Sequence, residues 1–190
     1  MVSGKGNTVN CGCSVVTGAS NTLNKDYSAV FGYKHNVTGS GALVAGGIAE
    51  GEQGTTAGNT ASATNAVAFG ASNTASGLAS IVMSGWLNTA GGSASVVGNS
   101  NNTVSLGHNQ TTVFGYNNNS SRSRQLVCGE FCASDANASL VVGNGANANN
   151  RSNSFAIRYD GSMVLSGHKI TVSTTAPGNP SAGDIWFDIN

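Results

Sequence analysis

A short apolar motif that ends in glycine recurs along most of the chain, and successive copies are most often fourteen residues apart. The segment "SAVFGYKHNVTGSGALVAGG", residues 28–47, contains two copies. The closing glycines, taken as anchors, are Gly4, Gly18, Gly32, Gly46, Gly58, Gly70, Gly85, Gly98, Gly107, Gly115, Gly129 and Gly143. A fixed period of this length predicts a solenoid, in which each repeat forms one coil. The intervals of nine and eight residues that end at Gly107 and Gly115 predict a local change in coil shape.

The residues before each anchor predict short strands that are apolar on both faces. Valine dominates the position two residues before the anchor: Val2, Val16, Val30, Val44, Val96, Val113, Val127 and Val141. β-branched residues in short runs bounded by glycine and asparagine are typical of strands. The positions beside these valines are also apolar, and neighbouring side chains on a strand point to opposite faces. A single coil fills one face only, so we predict that the valine column packs against a second copy of the chain.

Asparagine is frequent three residues after the anchor, where it predicts a corner of the coil. This column contains Asn7, Asn21, Asn73, Asn88, Asn101, Gln110 and Asn118. Asparagine tolerates left-handed backbone and hydrogen-bonds to its own turn, and stacked asparagines form side-chain ladders. Each coil is therefore predicted to consist of a strand, an asparagine turn, a second short strand and a glycine turn.

Two stretches of the repeat resemble a known family. "SAVFGYKHNVTGSGALVAGG" and "NAVAFGASNTASGLAS" are similar to the NSVAIG-x-x-S-x-A-x-G repeats in the heads of trimeric autotransporter adhesins of the YadA type, repeats that also occur in bacteriophage fibres. The resemblance covers residues 1–150. It implies an all-β fold, a parallel β-roll or β-solenoid with coils of about 14 residues, assembled as a homotrimer. Because the strands are apolar on both faces, we predict that the valine column is the trimer core, at or near the shared axis.

Residues 151–190 break the period and predict a separate module. "SFAIRYDGSMVLSGHKI" alternates polar and apolar residues around Asp160-Gly161, which predicts a hairpin. "TVSTTAPGNPSAGDIWFDIN" is similar to segments that end many phage tail-fibre proteins. We therefore divide the chain into a β-roll repeat domain, 1–150, and a C-terminal hairpin or cap module, 151–190, which closes the open end of the solenoid.

Charge and composition exclude several partners. The net charge is zero and only 8% of residues are charged, so we expect no nucleic acid partner. No apolar run approaches the roughly 18 residues of a membrane helix, so we expect no membrane insertion. Arg122 and Arg124 in "NNNSSRSRQ" are interpreted as a solvated loop, with contact to an anionic partner as the alternative.

Residues with catalytic or metal-binding chemistry are dispersed. His35, His108 and His168 are far apart in sequence. The cysteines Cys11, Cys13, Cys128 and Cys132 lack the CxxC spacing of metal or redox pairs, and Cys128 is interpreted as a small core residue. The acid pairs Glu50 with Glu52 and Asp184 with Asp188 allow a glycosidase interpretation, but solvated loop acids are the simpler one. We therefore predict no metal, no cofactor and no enzymatic activity.

The sequence leads to a structural and adhesive function. We expect a homotrimeric external fibre or appendage of a virion, such as a phage tail fibre, which contacts other virion proteins and a host cell-surface glycan or protein. The alternative is the head of a bacterial trimeric surface adhesin. Ice binding is disfavoured because the strand columns hold Val, Leu and Phe instead of aligned Thr, and a depolymerising tailspike because its coils are longer.

Aromatic residues at one corner are the candidate receptor contacts. Tyr33, Trp86, His108 and Tyr116 follow an anchor directly, at a position that is otherwise filled mostly by Ala, Asn or Gly. An aromatic ring beside Asn and Thr suits stacking on a sugar ring, whereas packing against a neighbouring chain is the alternative. Trp186, in the terminal module, is a further candidate.

Overall fold

The computed structural model describes residues 1–47, 58–165 and 168–189, and these residues form short strands joined by tight turns. The first strands are β1 (Val2–Lys5), β2 (Thr8–Val9), β3 (Val15–Ala19), β4 (Thr22–Leu23), β5 (Ala29–Tyr33), β6 (Asn36–Val37), β7 (Leu43–Gly46), β8 (Thr60–Ala61), β9 (Val67–Gly70), β10 (Thr74–Ala75) and β11 (Ile81–Val82). The remaining strands are β12 (Thr89–Ala90), β13 (Val96–Val97), β14 (Thr103–Val104), β15 (Thr112–Val113), β16 (Leu126–Glu130), β17 (Ala138–Asn144), β18 (Asn153–Arg158), β19 (Met163–Leu165), β20 (His168–Ser173) and β21 (Ile185–Asp188).

The strands stack into a parallel β-solenoid, as the sequence predicts. The long sheet begins with ten parallel strands in chain order, β1, β3, β5, β7, β9, β11, β13, β15, β16 and β17. A second sheet stacks β2, β4, β6, β8, β10, β12 and β14 in the same order. Each coil thus contributes a strand to the long sheet and, for most coils, a two-residue strand to the second. Pairing of Val2 with Val16 and of Val16 with Val30 gives the fourteen-residue coil directly.

Three of the predicted anchors, Gly58, Gly98 and Gly107, are wrong. Gly46 pairs with Gly70 and not with Gly58, so 24 residues separate one anchor from the next between β7 and β9. This interval includes residues 48–57, which are outside the described part. Val97 pairs with Val113 across one sixteen-residue coil, so the predicted intervals of nine and eight residues do not exist. Asn99, with a left-handed φ of 71°, occupies the anchor position there, because asparagine tolerates this backbone conformation.

The valine column lies inside the coil of a single chain. Side chains of this column that expose at most 1% of their surface are Val16, Val30, Val44, Ala68, Val82, Val97, Val113, Val127 and Val141. They face a second buried column from the short strands: Leu23, Val37, Ala61, Ala75, Ala90 and Val104. The hydrophobic core is the narrow space between these two columns.

This burial corrects the face assigned to the predicted trimer core, Val2, Val16, Val30, Val44, Val96, Val113, Val127 and Val141. Six of these eight valines are buried without any partner chain. Val2, on the first strand, is 55% exposed. Val96 pairs with Ile81 and Thr112, which precede the core column by one residue, so its side chain points out of the coil. The strands are apolar on both faces, but the outward face is formed by the positions on either side of the valines.

We call this surface of the long sheet the outer apolar face. Its apolar members one residue before the core column are Val15, Ala29, Leu43, Val67, Ile81, Val96, Leu126 and Leu140. Those one residue after the core column are Phe31, Ala45, Phe69, Met83, Phe114, Cys128 and Val142. Phe31 is 41% exposed, Met83 53% and Leu126 42%, whereas most of the others are half-buried by their neighbours on the sheet.

A buried ladder of polar side chains runs along one corner of the solenoid. Its rungs are Asn7, Asn21, His35, Asn59, Asn73, Asn88, Asn102, Asn118 and Cys132. Asn21 is typical: its Oδ1 accepts the backbone N–H of His35 at 3.0 Å, and its Nδ2 donates to Gly32 O at 2.9 Å. The predicted asparagine ladder is present, but its members at the irregular coils are Asn59 and Asn102 instead of Asn101 and Gln110.

His35 replaces asparagine in this ladder by presenting the same hydrogen-bonding pattern. Its Nδ1 accepts the backbone N–H of Asn59 at 2.9 Å, so the ring proton lies on Nε2, which is 3.2 Å from Phe31 O and donates to it. The side chain is 1% exposed. Burial lowers the pKa of His35 below its usual 6.5, and backbone hydrogen bonds partly oppose this shift. A proton on Nδ1 would face the Asn59 N–H and break the rung.

We expect His35→Asn to remove an acid sensitivity of the fold. The folded chain holds His35 neutral, so the unfolded chain binds the extra proton, and stability falls as the pH drops below about 6.5 until the lowered folded pKa is reached. The slope is at most about 1.4 kcal/mol per pH unit. Urea unfolding between pH 5 and 8 measures it. An unchanged slope in His35→Asn, relative to the wild-type chain, would contradict the assigned role.

The C-terminal strands extend the long sheet in a different pattern. β18 pairs with β17 antiparallel, so strand direction reverses between Asn144 and Asn153, close to the predicted boundary at residue 150. The hairpin predicted at Asp160-Gly161 is present, with Ala156 opposite Val164. β20 pairs antiparallel with β19, and β21 joins β20 in parallel. The sheet is therefore continuous from the coils into the C-terminal strands.

Candidate functional site

Three of the predicted contact aromatics share one corner column of the long sheet. Bridges connect Ala71 to Trp86, Trp86 to Ser100, Ser100 to Tyr116 and Tyr116 to Glu130. Tyr33 occupies the equivalent position at the end of β5, opposite Ala19. Each of these residues follows the anchor position, where left-handed backbone turns the chain out of the strand. We call Tyr33, Trp86 and Tyr116 the aromatic column.

The other two candidates lie elsewhere. His108 is outside the column because Gly107 is not an anchor; its Nδ1 is 2.8 Å from Ser120 Oγ, in the turn that follows β14. Trp186 belongs to β21, the last strand of the long sheet, and its Nε1 donates to Ser173 O at 3.1 Å. The structure places Tyr33, Trp86 and Tyr116 in one column and places His108 and Trp186 outside it.

Tyr116 is the most exposed member of the column. It is 42% exposed, and its ring packs edge-on against Phe131, with centroids 5.2 Å apart and an interplanar angle of 87°. Arg151 supports this pair: its guanidinium lies 5.8 Å from the Phe131 ring and donates to Asn117 O at 2.7 Å and Asn117 Oδ1 at 2.9 Å. Phe131, with a φ of 43°, was not identified from sequence, because its anchor-plus-two position is occupied by unrelated residue types elsewhere.

An open cleft of about 400 Å³ lies beside Tyr116. Its walls are Asn99, Ser100, Gly115, Tyr116, Gly129 and Glu130. Ser100 is the small residue between Trp86 and Tyr116, whose backbone positions are two strands, or about 10 Å, apart. The cleft offers an aromatic ring, a hydroxyl, an amide and one carboxylate. This combination suits a polar ring-shaped ligand such as a sugar better than a purely apolar one.

Trp86 has an unusual feature within the column. Its side chain is half-buried, and its indole Nε1 is buried with no hydrogen-bond partner in the part of the chain that the structure describes. A buried indole N–H normally donates a hydrogen bond. Within the described residues, Trp86 is therefore the member of the aromatic column whose buried donor is unpaired.

A second, smaller apolar pocket of about 150 Å³ lies beside Trp186. It is lined by Thr171, Ala176, Pro177, Pro180, Asp184, Ile185 and Trp186. The Asp184 carboxylate accepts the backbone N–H groups of Lys169 at 2.6 Å and Ser181 at 2.8 Å. These hydrogen bonds lower the pKa of Asp184, and the ionised carboxylate stabilises the backbone of the turn that precedes β21. Glu50 and Glu52, the other acid pair, lie outside the described residues.

The remaining reactive residues have local structural roles. Cys132 ends the polar ladder, and burial raises the pKa of its thiol to about 11. Cys128 lies on the outer apolar face instead of the predicted core, and burial raises its pKa as well. Within residues 1–47, 58–165 and 168–189, no three His, Cys, Asp or Glu side chains are grouped so as to hold a metal ion. The same residues contain no helix long and apolar enough to cross a membrane.

Comparison of this chain with family models, with curated proteins and with solved structures finds no match.

Proposed function

We propose that this chain is a structural and adhesive fibre protein that self-associates through the outer apolar face and contacts a cell-surface glycan or protein through the aromatic column. The favoured setting is an external virion fibre or appendage such as a phage tail fibre, in contact with other virion proteins. The second candidate is the head of a bacterial surface adhesin, which the repeat resembles equally well. The proposal rests mainly on an uncharged, largely apolar surface that runs along eight coil-to-coil steps, from β3 to β17.

The size of the outer apolar face supports self-association. Eight steps of about 4.8 Å, from β3 to β17, and two side-chain columns give a surface about 40 Å long and about 15 Å wide, or about 600 Å². This area is comparable to the roughly 800 Å² that each partner buries in a stable interface. Neither column contains a charged residue, and a contiguous apolar surface of this size marks an interaction site in a soluble protein. The trimeric state within the proposal comes from the resemblance to trimeric heads.

Sedimentation of the purified chain tests the assembly. We expect a mass of three chains at micromolar concentration, and Met83→Glu is expected to shift the mass toward one chain because it places three carboxylates in the interface. Leu106→Glu is the matched control, since Leu106 is 85% exposed and lies outside the outer apolar face. A wild-type monomer with intact β-structure would contradict the proposal.

Binding of the aromatic column is tested separately from assembly. Trp86→Ala and Tyr116→Ala are expected to lower binding to a glycan array and to intact cells at least about tenfold, because stacking on a sugar ring is lost. The melting temperature of the assembly should stay within a few degrees. If melting falls and binding per folded assembly does not, the aromatics serve packing between chains, and a receptor role for this column is wrong.

A further inference from the structure

An open groove of about 480 Å³ lies where the last coils meet the C-terminal hairpin. Arg122, Asn137, Tyr159 and Asp160 line it, and we call it the junction groove. Residues 122 and 137 come from the coils and residues 159 and 160 from the turn between β18 and β19. The groove therefore exists only because the hairpin folds back onto the coil that carries the "SRSR" loop.

Arg122 is held in the groove without an acidic partner. Its guanidinium lies 4.1 Å from the centre of the Tyr159 ring, and its Nη1 donates to Ala136 O at 3.0 Å. Its Nε donates to Ser123 O at 3.3 Å. No carboxylate lies within ion-pair distance of it among the residues that the structure describes. A guanidinium has five N–H donors, so this cation is positioned, charged and left with donors to spare.

Tyr159 is fixed as a platform beside this cation. Its hydroxyl donates to Arg124 O and its backbone N–H donates to Asn137 O at 2.9 Å. These two bonds hold the ring in place, yet the residue remains 50% exposed. An exposed aromatic ring held this firmly loses little conformational entropy when a ligand packs on it. The turn of Tyr159 and the loop of Arg122 thus fix each other.

The surroundings of the groove carry an excess of positive charge, although the chain as a whole has a net charge of zero. Arg158 pairs with Asp135 at 3.0 Å, and Lys169 pairs with Asp160 at 3.8 Å. These pairs cancel, and among the described residues they leave Arg122 and Arg124 as the unpaired charges at this site. Six of the sixteen charged residues of the chain are concentrated here: Arg122, Arg124, Asp135, Arg158, Asp160 and Lys169.

We propose that the junction groove binds an anionic saccharide. A carboxylate or sulfate of the sugar accepts hydrogen bonds from the free N–H groups of Arg122, in the bidentate geometry that guanidinium favours. The sugar ring packs on the exposed part of Tyr159, and its hydroxyls bond to the Asn137 amide and the Asp160 carboxylate. The Asp160 carboxylate disfavours a polyphosphate, since a nucleic acid backbone needs a run of cations and tolerates no acid in its path. The site is distinct from the aromatic column and requires neither trimer assembly nor binding there.

Calorimetric titration with trigalacturonate, and with its methyl ester as the neutral match, tests the anionic requirement. The acid form is expected to bind and the ester to bind at least about tenfold more weakly, because the ester cannot accept the charge-assisted bonds. A sulfated galactose trisaccharide distinguishes the sulfate from the carboxylate source. Backbone amide shifts of Asn137 and Asp160 are expected to change on binding of the acid form. No binding of either anionic sugar at millimolar concentration, or equal binding of the ester, would overturn the proposal.

Variants of the groove locate the site. Arg122→Gln is expected to weaken trigalacturonate binding at least about tenfold, and Arg124→Gln, which removes the same charge from outside the groove lining, less than about threefold. Tyr159→Phe keeps the ring and should bind, whereas Tyr159→Leu should not. Equal loss in Arg122→Gln and Arg124→Gln, or tighter binding of a single-stranded DNA 12-mer than of either sugar, would show general charge attraction and overturn the proposal. Sedimentation of these variants is expected to be unchanged, which separates this test from that of the fibre.

Discussion

Val30→Asp is expected to prevent the chain from folding, whereas Phe31→Asp, the next residue on β5, is expected to leave the coils intact. Val30 is fully buried between Val16 and Val44, and a carboxylate there has no hydrogen-bond donor nearby in the apolar core column. Burying an unpaired charge costs several kcal/mol, which approaches the whole 5–15 kcal/mol stability of a typical domain. Far-UV circular dichroism and urea unfolding measure the loss.

Phe31→Asp is the matched control for the assignment of faces. Phe31 is 41% exposed on the outer apolar face, so the new carboxylate stays hydrated in a single chain. We expect the urea midpoint of the isolated chain to change little and the sedimenting mass to fall. If both variants lose their β-structure equally, the inward and outward faces of the long sheet are assigned wrongly.

Gly18→Ala is expected to be far more damaging than Gly107→Ala, although both glycines have left-handed backbone. Gly18 has a φ of 113°, and a Cβ there would overlap the carbonyl carbon and oxygen of Gly32 on the next coil. Those backbone atoms cannot move without breaking the polar ladder, since Gly32 O accepts the Asn21 side chain. Gly107 has a φ of 88° and open space around it.

The difference between the two glycine variants isolates the close approach between coils. Gly107→Ala should lower the free energy of unfolding by about 1–2 kcal/mol, because alanine is strained in left-handed backbone. Gly18→Ala should add the overlap and lower the stability by several kcal/mol more, measured as the shift in urea midpoint. Equal midpoints for the two variants would mean that the coils separate easily at Gly18, contrary to the described stacking.

The regular features of the fold were predictable because hydrogen bonding repeats at a fixed period. A ladder residue such as Asn21 must meet the same groups on every coil, so its spacing in sequence equals the coil length. Strands and corners follow from this spacing. The hairpin at Asp160-Gly161 was predictable for a different reason, since its alternation and turn residues are local.

The inward face was predicted wrongly because both faces are apolar and composition alone does not distinguish them. Side-chain size does distinguish them. The core column holds only valine and alanine, since the space between two short strands is narrow, whereas Phe31, Phe69 and Met83 require the outside. A column of uniform small residues flanked by columns that include Phe and Met is therefore the signal for the inward direction.

The candidate site was predicted in part. The aromatic column was predictable because Gly32, Gly85 and Gly115 are true anchors. The placement of His108 in that column was wrong, because Gly107 lies in a turn and does not end a strand. The junction groove could not be predicted, because it joins residues 122 and 159, which no period relates. Contacts between the regular coils and the irregular end of the chain depend on tertiary structure alone.

Because each coil presents to the next the same carbonyls and amides that it receives from the previous one, the solenoid has a natural unit of growth. Gain or loss of a whole coil changes the length by about 4.8 Å and leaves every remaining rung with its partners. Gain of one residue within a strand instead exchanges the two faces of that coil. The coils of fifteen and sixteen residues obey the same constraint, since their extra residues lie in turns and the core column passes through them unbroken. Evolution can thus change the length of such a solenoid in coil-sized increments without rebuilding the remaining coils.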